Sequence, residues 1–190
     1  MSIHRKHQFL CIACILLTCM PLLGAAAQKA FTSAQYGFTL RFPGSWSVSV
    51  SGAGVPLFFN YRRSQALPQG LLLDGGAEIY VIPFVLVGAM THADSLDDWI
   101  AFNNAHGCSE IKTHHLPNFD SSVRVPHDIV EVESDFERDP QDDQLQRVID
   151  YYFTLHGKKF RLMLVHWKDD PRAAYFRSVL DSVFRSIESL

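Results

Sequence analysis

Apolar and polar residues alternate along two late segments of the chain, and a helical stripe follows them. Ile149, Tyr151 and Phe153 on the first segment, and Phe160, Leu162 and Leu164 on the second, occupy every other position, the period of a strand. Between them His156-Gly157 reads as a two-residue hairpin loop. Such a loop needs positive φ, which glycine takes freely and histidine tolerates better than bulky residues. The loop sets a ladder in which Leu155 opposes Lys158, Phe153 opposes Phe160, Tyr151 opposes Leu162 and Ile149 opposes Leu164. Residues directly opposite share a sheet face, so these apolar side chains form one surface. Asp169-Asp170-Pro171 then predicts a helix start, an acidic N-cap with proline at the first helical position. Beyond it Phe176, Val179, Leu180, Val183, Phe184 and Ile187 recur at helical spacing. Stripe and sheet face each need the other to leave water.

Upstream the same periodicities predict further elements. Phe38, Leu40 and Phe42 alternate with Thr39 and Arg41, and after Pro43-Gly44-Ser45 the residues Trp46, Val48 and Val50 alternate with serines. The pair is expected to form a first hairpin with one apolar face. Ser51-Gly52-Ala53-Gly54 is a connector, Phe58 to Tyr61 a short strand, and Pro68-Gln69-Gly70 and Asp74-Gly75-Gly76 bracket a loop. Ile79 to Val87 is apolar on both alternating sets, a strand covered on two sides, with a bulge or an edge expected at Pro83. Ser95 opens a short helix with Leu96, Trp99 and Ile100 on one face and Asp97 and Asp98 in the first turn, stopping at Gly107. Glu110 to Leu116 reads as a strand, turned by Pro117-Asn118. Val123 to Phe136 is a longer one broken near Pro126, with Val130, Val132 and Phe136 on one side and Glu131, Glu133 and Asp135 on the other. Residues 138–144 are polar and acidic, a loop. Strands in antiparallel order with two helices define an α+β protein.

The N-terminus changes the picture of where the chain works. His4-Arg5-Lys6-His7 precedes an apolar run from Phe9 to Leu23, and Gly24-Ala25-Ala26-Ala27 supplies small residues with an A-x-A pattern. Residues 1–27 therefore read as a secretory signal peptide, cut between Ala27 and Gln28, with residues 28–190 a single domain. The run is short for a retained bilayer anchor of ~20 residues, and lipidation at Cys19 sits poorly with Thr18 before it. The expected location is periplasmic or extracellular. Export removes three of the four cysteines and leaves Cys108 alone, so no internal disulfide can staple the domain and a core must hold it. The chain carries a net charge of −3, and losing Arg5 and Lys6 makes it more acidic, which argues against a nucleic-acid partner. No second long apolar run follows, so the mature form is not expected to span a membrane.

Candidate chemistry is sparse. His106, Cys108, His114 and His127 are the candidate metal ligands, but His114 and adjacent His115 leave opposite faces of a strand, and no H-x-x-x-H, C-x-x-C or H-E-x-x-H is present. No G-x-S-x-G elbow, P-loop or dinucleotide fingerprint occurs, and neither a cofactor nor a catalytic residue is expected. The acidic set from Glu131, Glu133, Asp135 and Glu137 to Asp139, Asp142 and Asp143 reads first as the solvated face of a strand and its loop, and second as a patch for a cation or basic partner. The far face of the late hairpin carries Tyr152 opposite Arg161, suited to a cation–π pair, together with Trp167. These three mark a candidate interaction face, or one buried under another helix.

Two segments carry a family resemblance. Phe31 to Trp46, with Gly37-Phe38-Thr39-Leu40-Arg41-Phe42-Pro43 and then the tryptophan, resembles the opening of PsbP-like domains. His156-Gly157-Lys158-Lys159-Phe160-Arg161-Leu162 and the final Ser182-Val183-Phe184-Arg185-Ser186-Ile187 resemble their end. The resemblance spans Phe31 to Ile187 and implies an α/β/α sandwich, a central antiparallel sheet flanked by helices. Known relatives include an extrinsic protein of photosystem II and a regulator of the small GTPase Ran, both non-enzymatic binding proteins. Fold alone transfers neither role. The first expectation is a secreted or periplasmic, non-enzymatic interaction module for a protein partner of the cell envelope. The alternative is a periplasmic binder of a metal or small molecule, using histidines and acidic residues.

Overall fold

The late hairpin forms with the register expected of it. In the computed structural model, which describes residues 27–61, 75–87, 93–105, 108–117, 124–137 and 145–190, Leu155 pairs with Lys158, Phe153 with Phe160, Tyr151 with Leu162 and Ile149 with Leu164. His156 and Gly157 both take positive φ, 49° and 74°. That is the geometry a two-residue turn needs to match the twist of its strands.

In chain order the elements are β1 (Gln28–Ser33), β2 (Phe38–Pro43), β3 (Ser47–Val50), β4 (Pro56–Phe59), β5 (Ala77–Pro83), a 3-10 turn (Phe84–Leu86), α1 (Leu96–Asn104), β6 (Cys108–His115), β7 (His127–Glu137), β8 (Leu145–Leu155), β9 (Lys158–Trp167), α2 (Ala173–Arg185) and β10 (Glu188–Ser189). Seven strands form an antiparallel sheet in the order β3-β4-β5-β9-β8-β7-β6, and β1-β2-β10 form a second, three-stranded sheet. The hairpin β8–β9 is central in the larger one. Its inner face and the α2 stripe make the main core with Phe38, Leu40 and Phe42 of β2. Phe184 packs there with its ring centroid 4.6 Å from Tyr151 and 5.4 Å from Phe153.

The expected sandwich is present in part. α2 and the small sheet share one layer over one face of the large sheet. On the other face, α1 sets Trp99 against Tyr152 at 5.3 Å, and Ser95 closes a capping box with Asp98 at its start. This helix ends at Asn104, so among the described residues the second helical layer covers only the Tyr152 end of its face.

Several expectations are corrected. β2 and β3 do not form a hairpin: β2 pairs with β1 and β10, and β3 leaves for the large sheet beside β4. Trp46 between them is buried, whereas Val48 and Val50 are exposed. β1 was not foreseen, because only Phe31 and Ser33 of its six residues turn away from solvent. The strand from Ile79 stops at Pro83, where the 3-10 turn begins. α2 opens at Ala173 rather than at the proline, since Asp170 Oδ1 accepts from the Arg172 amide at 2.8 Å in a turn before the helix.

The acidic side of β7 is not a solvated face. Glu131 is 7% exposed and Asp135 0%. Arg147 on β8 donates to both Glu133 and Asp135, Lys168 reaches Asp135 at 2.6 Å, and Arg177 on α2 binds Glu131. The stripe faces inward because three cations arrive across it from neighbouring elements. Asp139, Asp142 and Asp143 lie outside the described residues.

Two groups on this face tie stability to pH. Burial holds the His166 imidazole below its ordinary 6.5, opposed by its 2.7 Å contact with the Trp167 carbonyl. Burial also works to raise the Asp135 carboxyl, but hydrogen bonds from Lys168 and Arg147 outweigh it and hold it below 3.8. In both cases the unfolded chain binds the proton first, so stability falls as pH falls. The loss begins below 6.5 through His166 and steepens below 3.8 through Asp135. In urea unfolding across pH, His166→Leu flattens the upper limb and Asp135→Asn the lower. Independently, Phe184→Ala lowers unfolding free energy by ~3–5 kcal/mol. Unchanged unfolding would mean the α2 face is misplaced.

Candidate functional site

Strand register builds a grid on the α1 face of the large sheet. Glu78, Val165, Val148 and Ser134 form one cross-strand row, and Tyr80, Met163, Asp150 and Val132 the next. Ile82, Arg161, Tyr152 and Val130 lie beyond, under α1; Trp167, Gln146, Phe136 and Cys108 lie on the opposite side. Where α1 stops, a cavity of ≈ 340 Å³ opens over the middle of this grid. Val148 and Val165 form its apolar floor, and Asn103 and Asn104 at the end of α1 form one wall.

Charge in the cavity is arranged in two ways. Arg161 Nε and Nη2 donate to Asp150 Oδ1 and Oδ2, each at 2.8 Å, and Nη1 reaches Asn103 Oδ1 at 3.4 Å. Burial pushes the Asp150 carboxyl up, with the guanidinium opposing it. Burial works against Arg161 too, but the adjacent Asp150 charge prevails and its pKa rises. The two shifts favour opposite states of the pair. Two parallel 2.8 Å bonds are the fork geometry of guanidinium on carboxylate, and arginine does not lose its proton in proteins, so the pair is ionised. Glu78 is different. It is 3% exposed and accepts from the hydroxyls of Tyr61 and Tyr80, and among the described residues no cationic side chain pairs with it.

Gln146 stands at the far side. It is 5% exposed, and its Nε2 has no hydrogen-bond partner among the described residues. Buried donors are nearly always satisfied, so this one marks a place where an acceptor belongs.

The sequence-derived candidates fall partly here. Cys108, a half-buried free thiol, lies on the cavity wall. His114 is exposed near the opposite end of β6, paired across from Glu131. His127 begins β7, with Nδ1 2.8 Å from Asp128 Oδ2. His106 lies outside the described residues. These side chains do not converge, and among the described residues no group of three or more His, Cys, Asp or Glu could hold a metal ion. Tyr152, Arg161 and Trp167 share the α1 face. Tyr152 is 0% exposed, with Arg161 over its ring at 5.6 Å, and burial followed by the Asp150 charge raises its phenol pKa. Sequence reasoning missed Glu78, Ser134 and Gln146. The available signal was a carboxylate and an amide embedded in otherwise apolar strands.

An antiparallel sheet with its principal helix on one face and a short one on the other is the PsbP-like fold. This chain shares it with the Ran-binding protein Mog1p of Saccharomyces cerevisiae, at 10% identity over 86% of this chain and 95% of that one, with a TM-score of 0.51. Cyanobacterial PsbP (CyanoP) from Synechocystis sp. PCC 6803 aligns over 88% of this chain and 95% of its own at 14% identity and a TM-score of 0.44. A protein from Bacteroides thetaiotaomicron VPI-5482 aligns over 85% of this chain at 15% identity and 0.47, and this chain spans 48% of its length. No protein-family model and no curated protein matches the sequence. At these identities the likeness is one of fold, carried by Mog1p.

Removing one partner of a buried pair strands the other charge. Arg161→Met is expected to cost ~3–5 kcal/mol, and Asp150→Leu/Arg161→Met less than that single change. Chemical denaturation of the three proteins checks the order.

Proposed function

We propose that this protein is an exported, non-enzymatic binding module, and that its binding site is the cavity on the α1 face of the large sheet. The observation that carries this is the buried Gln146 Nε2 on the wall of that cavity, which has no hydrogen-bond partner among the described residues. A concave site of this volume with a few convergent polar groups is what small-molecule sites look like. The fold is shared with a Ran-binding protein, which supports the binding character and leaves the partner open. Between a protein partner and a small ligand, the concavity favours the ligand, since Tyr152 and Arg161 offer little open surface for docking. Export rests on the N-terminal segment, whose residues 1–26 lie outside the described residues. Among the described residues no helix is long and apolar enough to cross a membrane.

The test is recovery of the protein from its native envelope after crosslinking, followed by native mass spectrometry. The expected result is a mature N-terminus at Gln28 and a small-molecule adduct that Met163→Trp, which fills the cavity, removes. A stoichiometric protein partner with no bound small molecule would overturn the cavity as the binding site. An intact N-terminal segment would overturn export.

A further inference from the structure

Resting on the cavity as the binding site, we infer that its ligand is a small organic amine, bound as the cation, with an apolar body and a hydrogen-bond acceptor. Glu78 supplies the first requirement. Its carboxylate lies on the cavity wall, is 3% exposed, and has only the phenols of Tyr61 and Tyr80 as partners among the described residues. A buried carboxylate without a counter-charge is costly. Two hydroxyl bonds leave about half of its roughly four acceptor positions open. Arg161 cannot supply the counter-charge, because both its Nε and Nη2 are spent on Asp150 at 2.8 Å. Among the described residues, then, no cation faces the Glu78 carboxylate at its end of the cavity.

Register supplies the rest. From Glu78 the row runs over Val165 and Val148 to Ser134, three strand spacings of roughly 4.8 Å each. An amine at Glu78 would lay its body on the two valines, which with Met163 and Phe136 belong to one apolar cluster. Gln146, one row away beside Val148, would donate an Nε2 proton, which has no acceptor among the described residues, to an acceptor on the ligand. The arrangement selects against carboxylic acids, which would meet Glu78 as a like charge.

Isothermal calorimetry on the mature protein with 4-phenylbutylamine, 4-phenylbutanol and 4-phenylbutyrate reads this selectivity. The amine is expected to bind about tenfold or more tighter than the alcohol, ~1.4 kcal/mol, and the acid weakest. Glu78→Gln is expected to abolish the preference of amine over alcohol. The wild-type comparison needs no variant, so it decides even where Glu78→Gln does not fold. Equal binding of amine and alcohol, or tighter binding of the acid, overturns the amine and leaves the cavity reading standing. Failure of all three probes, with a neutral or acidic molecule recovered on the native protein, overturns the amine alone. Failure of all three with nothing recovered overturns both.

Discussion

Because His156 and Gly157 close the β8–β9 ladder in two residues, every side chain of the two central strands is committed to one face. A slip of one residue would exchange the faces entirely. It would carry Asp150 and Arg161 into the layer beneath α2, and would send Tyr151, Phe153, Phe160 and Leu162 to the side where α1 is too short to cover them. The free-energy gap against slippage is therefore large on both sides of the sheet. It rests on burial beneath α2 and on a charge pair that is tolerable in only one place.

Two ionic systems follow from that commitment, and they differ in kind. On the α2 side Glu131, Glu133 and Asp135 meet Arg147, Lys168 and Arg177 in a network at the margin of the core. Several cations are shared among several carboxylates there, and solvent still reaches Arg177 and Lys168. Single exposed ion pairs contribute little to stability, whereas several charges joined in a network contribute more. Here the network ties β7 and β8 to α2. On the α1 side Asp150 is buried and Arg161 mostly so, and among the described residues they pair only with each other as ions. Their fork geometry satisfies both, and breaking it strands a charge. The first system closes the fold; the second makes one wall of a cavity.

What could be read from the residues was what was local. The β8–β9 register, the α2 stripe and the α1 cap each depend on neighbours a few positions apart, and the periodicity of those stretches carries them. The fate of β2 and β3 was not local. Two alternating strands separated by Pro43-Gly44-Ser45 look the same whether they pair or diverge. The choice is made by β10, about 145 residues downstream, which takes the β2 edge. The acidic stripe of β7 failed for a related reason: alternation showed that three carboxylates share a side, but the cations that turn that side inward come from β8, α2 and the segment between β9 and α2. Of the site, Tyr152 and Arg161 were legible as a cross-strand pair. Glu78 and Gln146 were not, because they meet only when β5, β9 and β8 lie in that order.

The incomplete layer and the cavity are one fact. A second helix as long as α2 would have covered the α1 face from Ile82 to Trp167 and demanded apolar residues at every inward position beneath it. Leu96 to Asn104 covers only the row around Tyr152. The rows beyond carry what a closed core would exclude: among the described residues, Glu78 has no cation, Gln146 Nε2 has no acceptor, and Asp150 is held by Arg161. Substituting such groups by apolar ones of similar shape is often neutral or favourable for stability. Glu78 also fastens Tyr61 and Tyr80, and the proposed ligand, by satisfying Glu78 and Gln146 together, would add a physical reason for the sheet to keep both over a floor of valines.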